Sequence, residues 1–232
     1  MKRYSSIALK SAAFLALFLF VQQFAGAQVV NEAARKKVSI GVGMFTDIWV
    51  LKDVPSTIDV RGMNQGFNVF ATYNMALGKG PLSIAIGLGF RAQNLYGNWT
   101  YKRYDDSTSL VPIPDSIDYQ RSKLALPVIE LPLEFRYTSK SKVAVAVGFK
   151  VGYLLPAHTK YVGEDYLFHT NEKLRVKFRE DLHLQNFTYG PMLRIGYKFF
   201  HVFGYMDLNK LFKKDQGPEM YPISVGFFLM PY

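Results

Sequence analysis

Residues 129–153 read IELPLEFRYTSKSKVAVAVGFKVGY, and every second position on either side of the polar break is apolar. Successive side chains of a β-strand point to opposite faces, so this pattern predicts a hairpin with one apolar face. The other face mixes Gly and Ala with charged residues, among them Glu130, Glu134 and Lys150. A soluble sheet buries its apolar face in a core, whereas a membrane barrel turns that face to lipid. Small and charged residues suit a barrel lumen, so the hairpin predicts a transmembrane β-barrel.

The first 27 residues have the features of a secretory signal peptide. Lys2 and Arg3 precede an apolar run, and residues 25–27 (AGA) form an Ala-x-Ala cleavage site before Gln28. A membrane anchor is the alternative, but the uninterrupted apolar run of residues 12–21 is shorter than the about 20 residues that a spanning helix needs. The chain has no Cys, and a closed barrel needs no disulfides because neighbouring strands satisfy its backbone. We predict a signal peptide (1–27), a periplasmic N-terminal lead (28–37) and an outer-membrane barrel (38–232).

The same alternation predicts eight strands in all. The links after strands two, four and six are short and the others are longer, which is typical of outer-membrane barrels with short periplasmic turns and long outer loops. A soluble lipocalin-like barrel would need the opposite faces on nearly every strand. The predicted fold is therefore all-β, an eight-stranded antiparallel up-and-down transmembrane barrel. The predicted strands are residues 38–49, 65–77, 82–91, 129–137, 143–153, 183–198, 201–208 and 221–230, with long loops at 93–120 and 156–182.

Aromatic residues near the predicted strand ends indicate two girdles at the membrane surfaces. Those near the short turns are Tyr73, Tyr137, Tyr197 and Phe203, and those near the long loops are Phe90, Tyr153, Phe187 and Tyr189.

Three segments resemble those of PorT-like outer-membrane β-barrel proteins. They are residues 123–134 (KLALPVIELPLE), 148–153 (GFKVGY) and 211–226 (LFKKDQGPEMYPISVG). The resemblance implies an eight-stranded outer-membrane barrel, and one branch of that family serves protein secretion linked to gliding and export. It also implies a terminal aromatic residue that the barrel-assembly machinery recognises. Tyr232 fits this role, but Pro231 cannot donate to a ladder, so an end of strand eight at Leu229 or at Tyr232 stays open.

Charged residues on the lumen faces are candidate site residues. They are Arg91, Glu130, Glu134, Lys150 and Arg194, and Arg136 also points inward. The lumen of an eight-stranded barrel is just wide enough to be filled by side chains, and ions buried there must be paired. If the hairpin turn is symmetric about Lys140, Glu130 lies opposite Lys150. We predict a structural charge network without a solute channel, rather than an ion or proton path.

A basic stripe follows at Lys173, Arg175, Lys177 and Arg179, where basic and apolar residues alternate. We interpret it as an upward extension of strand six, whose cations are candidate contacts for the anionic sugars and phosphates of lipopolysaccharide. A solvent-exposed strand balanced by Glu172, Glu180 and Asp181 is an equally open alternative. The formal net charge of +10 does not indicate nucleic acid in a secreted barrel.

The histidines, His158, His169, His183 and His201, provide the remaining candidate chemistry. Glu180, Asp181 and His183 lie close enough in sequence for a lipid or peptide hydrolase at the barrel rim. No Ser-His-Asp order or metal-ligand spacing accompanies them, so no catalytic residue, metal site or cofactor is predicted. The sequence favours a non-enzymatic structural or accessory barrel of the bacterial outer membrane, whose loops bind partners or glycolipid. The resemblance implies the alternative, an accessory component of a secretion or gliding assembly that contacts secretion-system proteins.

Overall fold

Alternating sequences form twelve strands in the part of the chain that the structure describes. The structure, a computed structural model, describes residues 37–52, 54–165 and 172–230. Contacts divide the chain into two units, Met1–Lys37 and Val38–Tyr232, and all twelve strands belong to the second unit. The predicted signal peptide, residues 28–36 of the lead, His169 and Tyr232 lie outside the described residues. The strands are β1 (Val38–Lys52), β2 (Asn64–Ala76), β3 (Leu82–Tyr96), β4 (Trp99–Arg103), β5 (Thr108–Pro112), β6 (Tyr119–Thr138), β7 (Val143–Leu154), β8 (His158–Glu164), β9 (Lys173–Phe178), β10 (Phe187–Tyr197), β11 (Phe200–Met206) and β12 (Glu219–Leu229).

Eight of these described strands close into an antiparallel barrel. Neighbours pair in the order β1, β2, β3, β6, β7, β10, β11 and β12, and β12 pairs back with β1. Each strand of the ring has a hydrogen-bonded neighbour on both sides, which removes the open edges that hydrocarbon does not tolerate. The predicted eight-stranded up-and-down barrel is confirmed.

Within the described residues, no helix is long and apolar enough to cross a membrane.

The outer surface of the barrel is apolar on strand after strand. Met44, Leu88 and Val147 keep 58%, 59% and 58% of their surface exposed. Soluble proteins rarely expose contiguous apolar patches larger than a few hundred Å². An apolar belt on all eight strands therefore faces hydrocarbon, and the predicted inside and outside faces hold for strands such as β1, β2 and β7.

Short turns join β2 to β3, β6 to β7 and β10 to β11 at one end of the barrel. Gly78 takes φ +73° in the first of these turns, where a residue without a Cβ is unstrained, and Lys142 and Lys198 take φ 66° and 53° in the others. The longer connections, including the β4–β5 hairpin and the β8–β9 hairpin, lie at the opposite end. Short turns are periplasmic in outer-membrane barrels, so the other end faces outward.

The register of the β6–β7 hairpin differs from the predicted one by two residues. Lys150 lies opposite Pro132, and Glu130 lies opposite Gly152. The loop is centred on Ser141 rather than Lys140, because Lys142 takes a left-handed conformation and Ser139 pairs with Val143. This is the three-residue hairpin loop in which a type I turn is followed by a left-handed residue.

The long loop at 93–120 was predicted without strands, and the loop at 156–182 with none other than the extension of strand six, and both predictions are wrong. β3 continues to Tyr96, β6 begins at Tyr119, and the segment between them contains β4 and β5. The segment after β7 contains β8 and β9, with β8 beside the upper part of β6. β4 and β5 have only five residues each. Because they lie outside the membrane, they have no lipid-facing row of apolar residues by which the sequence could identify them.

The interpretation of the basic stripe as an extension of strand six is also wrong. β10 begins at Phe187, and the stripe forms the separate strand β9, which pairs with β8. The segment between the strands turns inward, because Leu182 and Leu184 are buried and His183 has φ 55°. The basic residues therefore extend the wall at β6, on the other side of β7.

Candidate functional site

The inner charge cluster lies at the periplasmic end of the lumen and is centred on Glu134. Its Oε2 atom lies 2.5 Å from Arg136 Nε and 2.5 Å from Arg194 Nη2, and all three side chains are buried. Arg136 also donates to Asn74 and, at 3.0 Å, to Thr72 Oγ1. A buried carboxylate therefore neutralises one of two neighbouring guanidinium groups, and the side chains of Asn74 and Thr72 accept further donors of Arg136.

His201 completes the inner charge cluster as a neutral imidazole. Arg194 Nη1 lies 3.0 Å from His201 Nδ1, and a guanidinium can only donate, so Nδ1 accepts. The proton is then on Nε2, which donates to the Lys198 carbonyl at 3.1 Å. Gly196 leaves room for this ring, since a Cβ there would fall 1.9 Å from Nδ1. The contacts engage both ring nitrogens, and the arrangement is structural.

An aromatic layer fills the lumen above the inner charge cluster. Phe203 stacks on Phe228 with ring centroids 4.0 Å apart, and Phe70 meets Phe228 edge-on at 4.9 Å. Phe45 contacts Phe203 at 6.3 Å. The prediction that Phe203 belongs to a membrane girdle is wrong, because it is 3% exposed and points inward. The exposed outward residues of β11 are Phe200, Val202 and Met206 instead.

The outer charge cluster lies above the aromatic layer and is centred on Glu130. Lys150 Nζ lies 3.0 Å from Glu130 Oε1, so the two side chains meet diagonally despite the shifted register. Asn68 donates to the same oxygen at 2.9 Å, and Arg91 Nε lies 3.4 Å from Oε2. Lys150 Nζ also lies 5.0 Å from the centre of the Tyr205 ring, where the negative π-face favours a cation.

Arg91 joins Glu130 to a carboxylate that the sequence did not single out, Asp207. Arg91 Nη1 lies 3.4 Å from Asp207 Oδ2, and Tyr205 donates its hydroxyl proton to the same carboxylate. Asp47 is a second unpredicted lumen carboxylate, and its Oδ1 accepts from Ser224 Oγ at 2.6 Å. Asp47 has the same odd-numbered parity as inward Gly43, so the alternation of β1 identifies it. The alternation of β11 does not identify Asp207, because aromatic residues lie on both faces of that strand.

Among the described residues, the lumen holds equal numbers of buried basic and buried acidic side chains. The buried cations are Arg91, Arg136, Lys150 and Arg194, and the buried carboxylates of the lumen are Asp47, Glu130, Glu134 and Asp207. All five residues of the predicted network lie in the inner or the outer charge cluster. The structure thus forms two clusters of paired ions with an aromatic layer between them.

An apolar cap closes the outer end of the barrel. It is a cluster of buried side chains from the upper strands and the outer segments, namely Trp49, Ile58, Leu95, Trp99, Leu124, Leu126, Leu182, Leu184, Phe212 and Met220. Leu95 and Met220 have no exposed surface, and Trp99 is 2% exposed. A small, partly open pocket of about 20 Å³ has Leu126 of the cap and Asp207 of the outer charge cluster in its lining, and it has room for one or two water molecules.

The acidic residues near His183 do not approach its ring. Its Nδ1 lies 3.0 Å from Thr108 Oγ1, its Nε2 lies 3.2 Å from the Asp105 carbonyl, and Asp181 accepts from its backbone N–H. Glu180 is exposed. No group of three His, Cys, Asp or Glu suited to a metal ion occurs among the described residues.

The basic stripe lies on an exposed face of a three-stranded sheet formed by the upper part of β6 with β8 and β9. Lys173, Arg175 and Lys177 are exposed on β9, and Arg179 follows directly after it. The register places four more basic residues on the same face, which the sequence did not connect with them: Arg121, Lys123, His158 and Lys160. We call this surface the basic face. Glu172 and Glu180 lie beyond the two ends of β9.

The family model described as Outer membrane protein beta-barrel domain matches residues 27–212 of the chain. This range extends from before β1 to beyond β11. Among curated proteins, none gives a significant match.

Proposed function

Because the chain belongs to the outer membrane protein beta-barrel domain family and resides in the outer membrane, we propose that it is a non-conducting and non-enzymatic barrel. In this proposal it acts as a structural or accessory protein through the strands and loops at its outer end. The inside of the barrel holds the protein together, and the outer sheet provides the surface that other molecules contact.

The packed lumen is the observation that carries the proposal. Paired charges, stacked aromatic rings and the apolar cap follow one another from the periplasmic end to the outer end. A channel needs a continuous water-filled path, whereas the cap residues Leu95 and Met220 have no surface open to water. Moving a paired ion out of this lumen would leave its partner buried and unpaired, which is costly.

Planar-bilayer recording tests the absence of conduction. The purified protein is inserted into planar bilayers, with a porin prepared in the same detergent as the positive control. We expect no steady open level of porin size. A large and stable conductance from protein that is folded by gel mobility would contradict the proposal.

A lipid A mass spectrum tests the non-enzymatic part. A deletion strain should have the same lipid A species as the parent strain, because the structure gives His183 contacts to a hydroxyl and a carbonyl rather than to a carboxylate. Loss of a deacylated or otherwise trimmed species in the deletion strain, restored by the intact gene, would show that the chain is a hydrolase.

The alternative is an accessory role in a secretion or gliding assembly, which the resemblance to PorT-like barrels supports. β9 offers a surface for such a partner, because in the described sheet it pairs with β8 on one side and ends the strand order on the other. Affinity purification in mild detergent, with a strain lacking the gene as control, tests this role. Co-purification of secretion-system proteins and a secretion defect on deletion would favour it over a purely structural one.

A further inference from the structure

We propose that the basic face is a binding site for the phosphate groups of lipopolysaccharide in the outer leaflet. A row of three lysines, Lys123, Lys160 and Lys177, forms its centre. The inference rests on the proposed function in one respect, namely that the outer end of the barrel faces that leaflet.

The three lysines stand side by side across three strands. Lys123 on β6 lies directly opposite Lys160 on β8, which lies directly opposite Lys177 on β9. Directly opposed residues have Cβ atoms about 4.5–5.5 Å apart, and like charges at such positions destabilise a sheet. An anion bound beside this row would reduce the repulsion.

More cations surround the row, and little negative charge offsets them. Arg121 and Arg175 lie on either side of Val162 in the neighbouring row, and His158 lies on the same face. On this face of β8 the acidic residue is Glu164, which lies opposite Lys173 on β9. Its side chain already accepts a hydrogen bond from the Asp118 backbone N–H at 3.1 Å. None of the ion pairs found among the described residues includes a lysine of the row.

The crowding of positive charge is visible at two groups of the outer sheet, above the membrane-spanning part. Burial lowers the pKa of Lys123, and the nearby charges of Arg121, Lys160 and Lys177 lower it further. The pKa of His158 is also lowered, first by burial and then by Lys177, Lys123, Arg179 and Lys160. A phosphate bound here would favour the charged forms of both groups.

The position of the row fits the headgroup layer. The basic face continues the lipid-facing side of β6, where Ile129 and Leu131 are exposed, and Ile129 lies in register with Phe90 and Tyr153. Aromatic residues at this level mark the membrane surface. Lys123 is six positions beyond Ile129, about 20 Å along the strand, and the usual strand tilt brings it roughly 15 Å above the aromatic level. The row thus lies above the hydrocarbon, on the side of the membrane that carries the sugars and phosphates of lipopolysaccharide.

The opposite face of the sheet is anchored, so the lysine side chains stay on the outer face, where Lys123 Nζ donates to Asn94 Oδ1 at 2.7 Å and lies 5.4 Å from the centre of the Tyr96 ring. Leu124 and Tyr161 are buried on that side, and the Ser122 hydroxyl donates to the Trp99 carbonyl. Lysines on edge strands often serve to prevent aggregation. That explanation does not cover Lys123 and Lys160, because β6 and β8 each have neighbours on both sides.

A lipid-binding measurement on the full-length protein tests the site. Native mass spectrometry compares binding of bisphosphorylated lipid A, dephosphorylated lipid A and inorganic phosphate to the wild type and to the triple variant K123Q/K160Q/K177Q. The matched control, K102Q/R103Q/K214Q, removes the same charge from exposed positions elsewhere on the outer side. We expect the triple variant to lose about tenfold or more in affinity for phosphorylated lipid A, since one lost charge-assisted hydrogen bond accounts for that factor. The control variant and the wild type should bind alike.

An equal loss of affinity for phosphorylated lipid A in the control variant would overturn the site. So would wild-type protein that binds dephosphorylated lipid A as tightly as phosphorylated lipid A. Inorganic phosphate bound as tightly as the lipid would overturn the assignment to lipopolysaccharide. Gel mobility confirms folding, and Lys177→Glu at the sheet edge provides a second variant if the triple variant does not fold. If the protein conducts steadily but still prefers phosphorylated lipid A, only the proposed non-conducting function is overturned. If the protein does not conduct but shows no preference for phosphorylated lipid A, only this binding site is overturned.

Discussion

Individual charges hold the lumen together through shared partners rather than through isolated pairs. Glu134 is the clearest case, because its carboxylate lies 2.5 Å from two guanidinium groups and is almost completely buried. Losing this carboxylate would leave Arg136 and Arg194 facing each other without an anion between them. A buried cation without a counter-ion is costly, so the structure assigns Glu134 a larger energetic role than any surface carboxylate.

Glu134→Gln should lower the free energy of unfolding by about 3–5 kcal/mol, because it leaves buried arginines uncompensated. The matched control is Glu219→Gln, which removes the partly exposed pair with Lys210 and should cost about 0–1 kcal/mol. Urea unfolding in lipid vesicles measures both changes. Similar costs for the two variants would contradict the buried cluster.

A double-mutant cycle at Glu130 and Lys150 tests the outer charge cluster. Glu130→Ala should cost about 3–5 kcal/mol, since it strands Lys150 and weakens the position of Arg91. Lys150→Ala should cost less, because Glu130 keeps Arg91 and Asn68. The double variant should cost clearly less than the two single changes together, because the shared contact is lost once. Additive costs would show that the 3.0 Å contact contributes no coupling energy.

At the scale of the element, β11 is the strand whose faces the sequence leaves ambiguous. It carries aromatic residues on both sides, with Phe200 toward lipid and Phe203 and Tyr205 toward the lumen. An aromatic ring suits a membrane girdle as well as a packed interior, so residue type does not distinguish the faces. The pairing of Phe203 with Gly226 and its stack on Phe228 decide the inward direction.

Phe203→Ala should lower the free energy of unfolding by about 3–5 kcal/mol, because it opens a cavity in the aromatic layer. Phe200→Ala is the control on the same strand. Phe200 stacks on Phe227 at 5.8 Å on the outer face, where lipid replaces the lost ring, so the change should cost less than about 1.5 kcal/mol. Unfolding in vesicles compares the two, and a larger cost at Phe200 would reverse the assignment of faces.

At the scale of the whole molecule, closure of the ring explains how a cysteine-free exported chain remains folded. Each barrel strand pairs on both sides, so unfolding must break a continuous ladder rather than peel off a free edge. The inner charge cluster, the aromatic layer and the apolar cap then fill the enclosed space. The barrel should therefore resist detergent without heating.

The folded protein should migrate faster than the boiled protein on a detergent gel, and it should fractionate with outer membranes. N-terminal sequencing of the exported form should begin at Gln28, following the Ala-x-Ala site in residues 25–27. A soluble periplasmic species with full secondary structure would contradict membrane insertion, and a start at Met1 would contradict the predicted cleavage.

Local alternation was enough to predict the number of barrel strands, the short and long links and most of the lipid-facing residues. A period of two residues encodes which face of a strand is apolar, and the chain repeats it in each barrel strand. The inward direction of Glu130, Glu134 and Lys150 follows from the same rule, and so does that of Asp47. These properties depend on neighbours in sequence.

The contacts between those residues depended on how the strands close around one another. A three-residue loop with Lys142 in a left-handed conformation shifted the hairpin register, yet long side chains still brought Lys150 to Glu130. Arg91 contacts Asp207, and Lys123, Lys160 and Lys177 form one row. These residues lie far apart in the sequence, and the alternation within a strand does not encode which strands pair. Face is a property of each strand alone, whereas register, ring closure and the packing of outer segments into a cap are set by pairing between distant strands. Pairing therefore decided which charges neutralise each other and where positive charge remains exposed.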